Sequence, residues 1–97
     1  MDLNKETKEY LKFVRKHTCC VCGESNVDAD HLQVRGMGGK GRRKGTHTGT
    51  LTDFSCVPLC RLHHTQRHSI GVKAFEIHFR VNLWKEAFMI LRSWYAE

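Results

Sequence analysis

The 97-residue sequence has a single proline and no long apolar run. No stretch approaches the roughly 20 apolar residues that a membrane-spanning helix needs, so we expect no membrane partner. The first residues, Met1-Asp2-Leu3-Asn4-Lys5, are polar and unlike the apolar part of a signal peptide. We therefore expect a cytoplasmic protein, in a reducing compartment where a pair of nearby cysteines more often binds metal than forms a disulfide.

Acidic residues are few, 10 against 16 lysines and arginines, which gives a formal net charge of +6. This excess favours an anionic partner, and nucleic acid is the first candidate. Between residues 35 and 52 there is no acidic side chain, and the segment carries Arg35, Lys40, Arg42, Arg43 and Lys44 among glycines. No aromatic residue interleaves, so we expect a loop that contacts DNA phosphates without stacking on bases. A disordered, solvated loop is the alternative.

The length and the element pattern predict one α+β domain over residues 1–97. An N-terminal helix is expected over 3–16, a cysteine knuckle and ββα core over 18–69, and a helical tail over 71–96. Within the core, strands are expected over 27–34 and 50–56, and Pro58 suits the first turn of a helix that ends near His68.

The tail is predicted to form two helices, the second capped by Asn82. Its apolar side chains form a broad stripe that we expect to pack in the core. The members of this stripe are Leu83, Trp84, Ala87, Phe88, Ile90, Leu91, Trp94 and Tyr95.

Two ligand pairs of equal spacing predict a structural zinc site. Cys19 and Cys22 are three apart and precede Gly23, which lets the backbone fold beneath a metal; Cys60 and His63 repeat the spacing at a helix start. Together they form a Cys3His set, which is typical of tetrahedral structural zinc. Cys20 is an alternative ligand to Cys19, although its spacing to Cys22 is poorer.

A second cluster predicts a catalytic divalent cation. His64 and His68 are four apart and therefore share one helical face. Asp30 and His31 lie on the preceding strand, where they point to opposite faces unless a bulge re-aims one of them. Either can meet His64 if the hairpin packs on this helix. An Asp/His set with open positions suits an ion that also holds phosphate and water.

These motifs resemble the HNH endonucleases, also called His-Me finger or ββα-metal nucleases, with a treble-clef zinc. The resemblance covers about residues 15–70 and is carried by Cys19-Cys20-Val21-Cys22-Gly23, Asp30-His31-Leu32, Gly36-x-Gly38-Gly39 and Val57-Pro58-Leu59-Cys60-Arg61-x-His63-His64-x-x-x-His68. More narrowly, they are similar to small phage- and prophage-encoded HNH proteins, including the RecA-dependent nuclease family.

The resemblance implies a metal-dependent DNA endonuclease encoded by a bacterium or a phage. His31 matches the general base, Asp30 and His64 match ligands of the catalytic ion (Mg²⁺, Mn²⁺ or Zn²⁺), and His68 matches a further ligand. The structural zinc ligands match Cys19, Cys22, Cys60 and His63. A recombination-protein filament is a further implied partner, whereas the oligomeric state is not implied.

One position departs from the family. Its middle asparagine falls near Ser55, and Asp53 is close enough to substitute, either as a ligand or by holding His31. A catalytically inactive zinc-finger-type module that binds DNA is therefore the alternative function.

Overall fold

The computed structural model describes residues 3–33 and 51–96. In this part of the chain, four α-helices surround one two-stranded antiparallel sheet, which gives the α+β class expected from the sequence. The elements in chain order are α1 (Leu3–Arg15), β1 (Val27–His31), a 3-10 helix (Leu51–Ser55), β2 (Cys56–Cys60), α2 (Arg61–Ile70), α3 (Val72–Phe79) and α4 (Leu83–Ala96).

Helix α1 is held by an apolar face that recurs with helical spacing. Tyr10, Leu11 and Val14 are buried on this face, while the lysines of the helix and Glu9 are exposed. The Tyr10 ring packs edge-on against Trp94 of α4, with centroids 5.5 Å apart. The first and last helices therefore share one apolar cluster beneath the sheet.

The position of the second strand corrects the sequence prediction. Residues 51–55 form the 3-10 helix, and β2 is Cys56–Cys60, an apolar run in which every residue is buried. β2 pairs with β1 from Val27↔Cys60 to His31↔Cys56. A segment that is buried at every position is most stable as a strand covered by helices on both faces. Such a strand lacks the alternation of apolar and polar residues by which a half-buried strand is recognised in a sequence.

Placing Pro58 in the first turn of a helix is therefore wrong. The Pro58 carbonyl accepts a hydrogen bond from the Cys20 amide at 3.1 Å, outside the β1–β2 ladder. Because the N and C=O of one strand residue point to the same side, the missing N–H of proline also faces away from the ladder and costs no sheet hydrogen bond. Helix α2 begins at Arg61, with Cys60 as its N-cap.

The helical tail follows the predicted division into two helices. Gly71, at φ 88°, separates α2 from α3, and the Asn82 side chain caps α4 by accepting the Lys85 amide hydrogen bond at 2.9 Å. The expectation of one broad core stripe on α4 is only partly right. Leu83, Ala87 and Ile90 are buried, whereas the side chains of Trp84, Phe88 and Tyr95 are exposed.

None of the helices in the described ranges, 3–33 and 51–96, is both long and apolar enough to cross a membrane.

Candidate metal centres

The first centre is built by a tight turn and a strand-to-helix corner. The turn between α1 and β1 is closed by the Gly23 amide, which donates to the Cys19 carbonyl at 2.9 Å, and Gly23 has φ 81°. This left-handed conformation suits glycine and brings Cys19 and Cys22 to the same side. Cys60 ends β2 and His63 lies in the first turn of α2, so both face the turn.

The four side chains fit a tetrahedral zinc ion. Cys22 Sγ lies 3.8 Å from Cys60 Sγ, and Cys19 Sγ lies 3.7 Å from His63 Nδ1. Zinc–sulfur bonds of about 2.3 Å in a tetrahedron separate two thiolates by about 3.8 Å. All four ligand atoms lie within 4.8 Å of one another. The chain therefore has a Cys3His cluster that can bind a metal such as zinc.

The pKa values of neighbouring thiols favour Cys19 over Cys20 as the ligand. Burial opposes ionisation of Cys19, but hydrogen bonds from the backbone at Cys60, Cys22 and Val21, and from the His63 side chain, outweigh it and lower its pKa to about 6. Burial, together with the charge of Glu86, raises the pKa of Cys20 to about 12. Since the thiolate is the form that binds metal, Cys19 is better suited than Cys20 to be the metal ligand.

Helix α3 supports this centre from outside the ligand set. The His63 ring contacts Phe79 edge-on, with centroids 5.1 Å apart, and Phe75 beneath it is fully buried. Cys19 and Cys60 belong to the same apolar cluster as Phe75. The orientation of the imidazole is therefore fixed by packing as well as by its place on α2.

The second centre consists of Asp30 from β1 with His64 and His68 from α2. Asp30 Oδ1 lies 3.3 Å from His64 Nε2 and 3.3 Å from His68 Nε2, and the two imidazole nitrogens are 3.0 Å apart. Adjacent ligands of a six-coordinate ion with bonds of about 2.1 Å are about 3 Å apart. Two imidazole nitrogens at this distance need a proton or a cation between them. Burial and the positive charge of Arg67 lower the pKa of His68, which disfavours the proton. The neutral, metal-binding form of His68 is therefore favoured.

Asp28, which the sequence analysis missed, orients one of these ligands. Its Oδ2 accepts a hydrogen bond from His64 Nδ1 at 2.9 Å and pairs with Arg61 Nε at 3.4 Å. A carboxylate on Nδ1 fixes the tautomer in which Nε2 carries the lone pair for a metal. Asp28 and Asp30 are two apart on β1, and residues two apart on a strand share a face. This spacing was the sequence signal that Asp28 lies on the side of Asp30.

Arg67 is the second residue that the sequence analysis missed. It is 8% exposed, and its Nε and Nη2 contact the two oxygens of Asp30 at 2.7 and 2.5 Å. Nη2 also donates to the carbonyl of His31 at 3.1 Å. Arg67 lies three residues after His64, which places both on one side of α2; that spacing was the signal.

His31 lies beside a different partner. Its Nε2 is 2.7 Å from Asp53 Oδ1, and Asp53 is fully buried in the 3-10 helix. Alternation along β1 points Asp30 toward α2, and His31 is accordingly outside the Asp30/His64/His68 group. Of the two residues that the sequence left open, Asp30 is the one that meets His64.

Ser55 ties down the chain that follows His31. Its Oγ accepts the Gln33 amide hydrogen bond at 3.0 Å and donates to the Thr52 carbonyl at 2.7 Å, and its own carbonyl accepts from the Leu32 amide at 3.4 Å. The predicted DNA-binding residues follow this tether and lie outside the described residues: Arg35, Lys40, Arg42, Arg43 and Lys44.

Comparison with known proteins finds a family without an assigned activity. Residues 3–91 match the family model DUF968, described as a protein of unknown function. The chain is 36% identical over 69 residues to the uncharacterized protein YdfU of Escherichia coli (strain K12). The match covers 71% of this chain and 18% of YdfU, so the chain corresponds to a small part of that relative's length. No solved structure matches significantly.

Proposed function

The chain belongs to the DUF968 family, whose function is unknown, and we propose that it is a metal-dependent endonuclease that hydrolyses phosphodiester bonds in DNA. The observation that carries the proposal is the position of the two ligand groups on consecutive residues of α2. His63 belongs to the Cys3His cluster and His64 to the Asp30/His64/His68 group. This is the arrangement expected of a treble-clef, ββα-metal core with structural zinc and a separate catalytic ion.

The proposed general base is His31. With Nε2–H donated to the buried Asp53 carboxylate, Nδ1 is the nitrogen that takes a proton from water. The carboxylate also stabilises the imidazolium that forms, in the way that an aspartate supports a catalytic histidine elsewhere. A divalent ion bound by Asp30, His64 and His68 would polarise the scissile phosphate and stabilise the leaving oxyanion.

In this proposal, two residues make the contacts that the family's middle asparagine would make. Asp53 orients His31, and Ser55 tethers Leu32 and Gln33, which follow it in the chain. An asparagine side chain has one acceptor and two donors, so it can hold a histidine or a loop. Dividing these contacts between a carboxylate and a hydroxyl holds His31, Leu32 and Gln33 without that residue.

The proposed substrate is DNA, held through its phosphates. The formal charge of +6 and the basic segment from Arg35 to Lys44 support this choice over a neutral partner. The proposal includes a cytoplasmic location, which rests on the polar first residues. A bacterial or phage source and contact with a recombination-protein filament rest on the family resemblance.

A supercoiled-plasmid assay tests the proposal directly. Zinc-loaded parent protein is incubated with plasmid and Mg²⁺, Mn²⁺ or added Zn²⁺, and nicked product is measured. We expect metal-stimulated nicking that falls by a factor of about 10² or more in His31→Ala. His78→Ala removes an exposed histidine of α3 and serves as the matched control. Equal nicking by His31→Ala and the parent would exclude His31 as the base.

A DNA-binding module without catalysis is the second candidate. It is favoured by the contact of Arg67 with both oxygens of Asp30, since a buried arginine can occupy a carboxylate that a catalytic ion needs. This candidate predicts salt-dependent DNA binding with no nicking by any metal in the series. Metal-dependent nicking that is lost in His31→Ala would eliminate it.

A further inference from the structure

Two arginine–aspartate pairs of the described residues lie at the second centre, and their charges cancel. Asp30 is paired with the guanidinium of Arg67 through Nε and Nη2, and Asp28 is paired with Arg61. An imidazole that binds a metal does so in its neutral form, so the charges that an ion meets here are those of two carboxylates and two guanidinium groups. A divalent ion placed among these ligands meets no net negative charge from these four side chains.

We propose that these two arginine–aspartate pairs make metal binding at the second centre depend on a phosphate group of the nucleic acid. The inference rests on the proposed function, because it takes DNA as the anion and deepens the role of the same site. A divalent ion alone is held weakly, and it is held firmly only when a phosphodiester supplies the missing negative charge. By linkage, the ion raises the affinity for DNA by the same factor.

Arg67 contacts the carboxylate oxygen that a cation at this centre would use. Its Nη2 contacts Oδ1 of Asp30 at 2.5 Å, and Oδ1 is the same oxygen that lies 3.3 Å from His64 Nε2 and from His68 Nε2. The guanidinium thus shares the oxygen that faces both imidazoles. A buried positive charge next to a cation site lowers cation affinity strongly, because interior charges are poorly screened.

Arg67 is therefore a positioning residue with an electrostatic role. The same Nη2 donates to the carbonyl of His31, so one guanidinium links the proposed ligand Asp30 to the backbone of the proposed base. Arginine can make these contacts together because its donors lie in one rigid plane. Arg61 acts from outside: its side chain is 80% exposed and its contact with Asp28 is longer, at 3.4 Å, so its effect on the ion is smaller.

Mn²⁺ binding to the zinc-loaded protein tests this inference without using catalysis as the readout. Free Mn²⁺ is followed by its electron paramagnetic resonance signal, with and without a short DNA duplex, in the His31→Ala background. A titration of duplex alone gives the Mn²⁺ that DNA binds by itself. His68→Ala, which removes an exposed ligand, identifies the ion bound at this site. We expect the duplex to tighten Mn²⁺ binding by about tenfold or more.

Three variants separate the roles of the arginines. Arg67→Met is expected to bind Mn²⁺ without DNA about tenfold tighter than the parent or more, and to lose most of the tightening by the duplex. Arg61→Met should likewise raise Mn²⁺ affinity without DNA and reduce the tightening by the duplex, each by a smaller factor of about two to five. Arg67→Lys keeps the charge and should leave Mn²⁺ affinity near the parent value.

Several outcomes would overturn the inference. One is Mn²⁺ affinity in the parent that is the same with and without the duplex, and another is a folded Arg67→Met that binds Mn²⁺ no tighter than the parent. If Arg67→Met does not fold, Arg61→Met and the parent comparison decide. Nicking by the parent without metal–DNA coupling would reject this inference alone, whereas coupling without nicking would reject only the nuclease.

Discussion

His31 Nε2 lies 2.7 Å from Oδ1 of Asp53, and this contact joins β1 to the 3-10 helix that precedes β2. The two residues are 22 positions apart in sequence, with the basic segment between them. Because Asp53 is fully buried and the His31 side chain at the end of β1 is 17% exposed, the carboxylate contacts the imidazole from the protein interior.

Asp53→Asn should reduce nicking by a factor of about 10 to 100 while the protein stays folded. An amide keeps the shape of the side chain but does not stabilise the imidazolium, and it can select the wrong tautomer. The rate of metal-stimulated nicking as a function of pH is the measurement. Zinc content and melting temperature serve as controls, and an unchanged pH–rate profile would argue against a role for Asp53 in catalysis.

Serine substitutions in the cysteine knuckle should separate ligands from bystanders. Cys19→Ser and Cys22→Ser are each expected to lose the zinc ion and to lower the melting temperature by about 10 °C or more, because zinc binding contributes directly to folding. Cys20→Ser is the matched control, which should keep one zinc per chain. Zinc content by elemental analysis and thermal unfolding are the measurements. A Cys22→Ser protein with unchanged zinc content would remove Cys22 from the ligand set.

Asp28→Asn should weaken divalent-metal binding at the second centre by about 10- to 100-fold. The amide lacks the charge that holds the Nδ1 proton of His64, so the ligand becomes less basic and its tautomer less fixed. Mn²⁺ titration of the zinc-loaded protein measures the effect. Glu9→Gln on the exposed face of α1 removes an equal charge elsewhere and should leave Mn²⁺ binding unchanged.

The half-buried Cys20 thiol and the buried Cys56 thiol should make the folded protein lose stability at alkaline pH. Burial raises the pKa of Cys20 to about 12, with Glu86 adding to the effect, and burial likewise raises the pKa of Cys56. A raised folded-state pKa contributes stability that is complete below the unfolded pKa of about 8.5 to 9 and is lost as pH rises toward the folded value. Urea denaturation of zinc-loaded protein should therefore show a lower free energy of unfolding near pH 10 than near pH 8.

The expected loss at about pH 10 is on the order of 1 kcal/mol for the buried Cys56 thiol, and it is smaller for Cys20, whose charge solvent partly screens. Cys20→Ser removes one of the two groups and should flatten the dependence on pH. A dependence that is the same in Cys20→Ser and the parent would assign the effect to other groups.

The basic segment should control the salt dependence of DNA binding. Replacing Lys40, Arg42, Arg43 and Lys44 by alanine is expected to weaken binding for all sequences alike and to reduce the slope of log affinity against log salt by up to about 3.6. Fluorescence anisotropy with two unrelated duplexes measures the affinity. A loss restricted to one duplex would instead indicate base readout.

The ligand groups were accessible from the sequence because their spacing is local. Three-residue spacings in Cys19/Cys22 and Cys60/His63, and the four-residue spacing of His64 and His68, place side chains together whatever the rest of the fold does. The contacts of Asp28 and Arg67 join residues 36 and 37 positions apart, so they depend on how α2 packs on β1. Spacing along the chain does not encode that packing.

Two local elements were misjudged for different physical reasons. A proline just ahead of a helical segment suits the first turn of that helix, but the open edge of a two-stranded sheet accommodates Pro58 equally well. On α4, helical periodicity predicts which side chains share a face, and the width of the partner surface decides how many are covered. That surface takes Leu83, Ala87 and Ile90 and leaves Trp84 and Phe88 in solvent.

Because side chains alternate along β1, its even-numbered and odd-numbered residues face different parts of the protein. Asp28 and Asp30 face the histidines of α2, while His31 contacts the 3-10 helix. Inserting or deleting a single residue ahead of His31 would exchange these sides, presenting the imidazole to α2 and a carboxylate to Asp53. Composition and charge would hardly change, yet both centres would be lost together. We therefore expect this short strand to tolerate substitutions at some positions but no change in length.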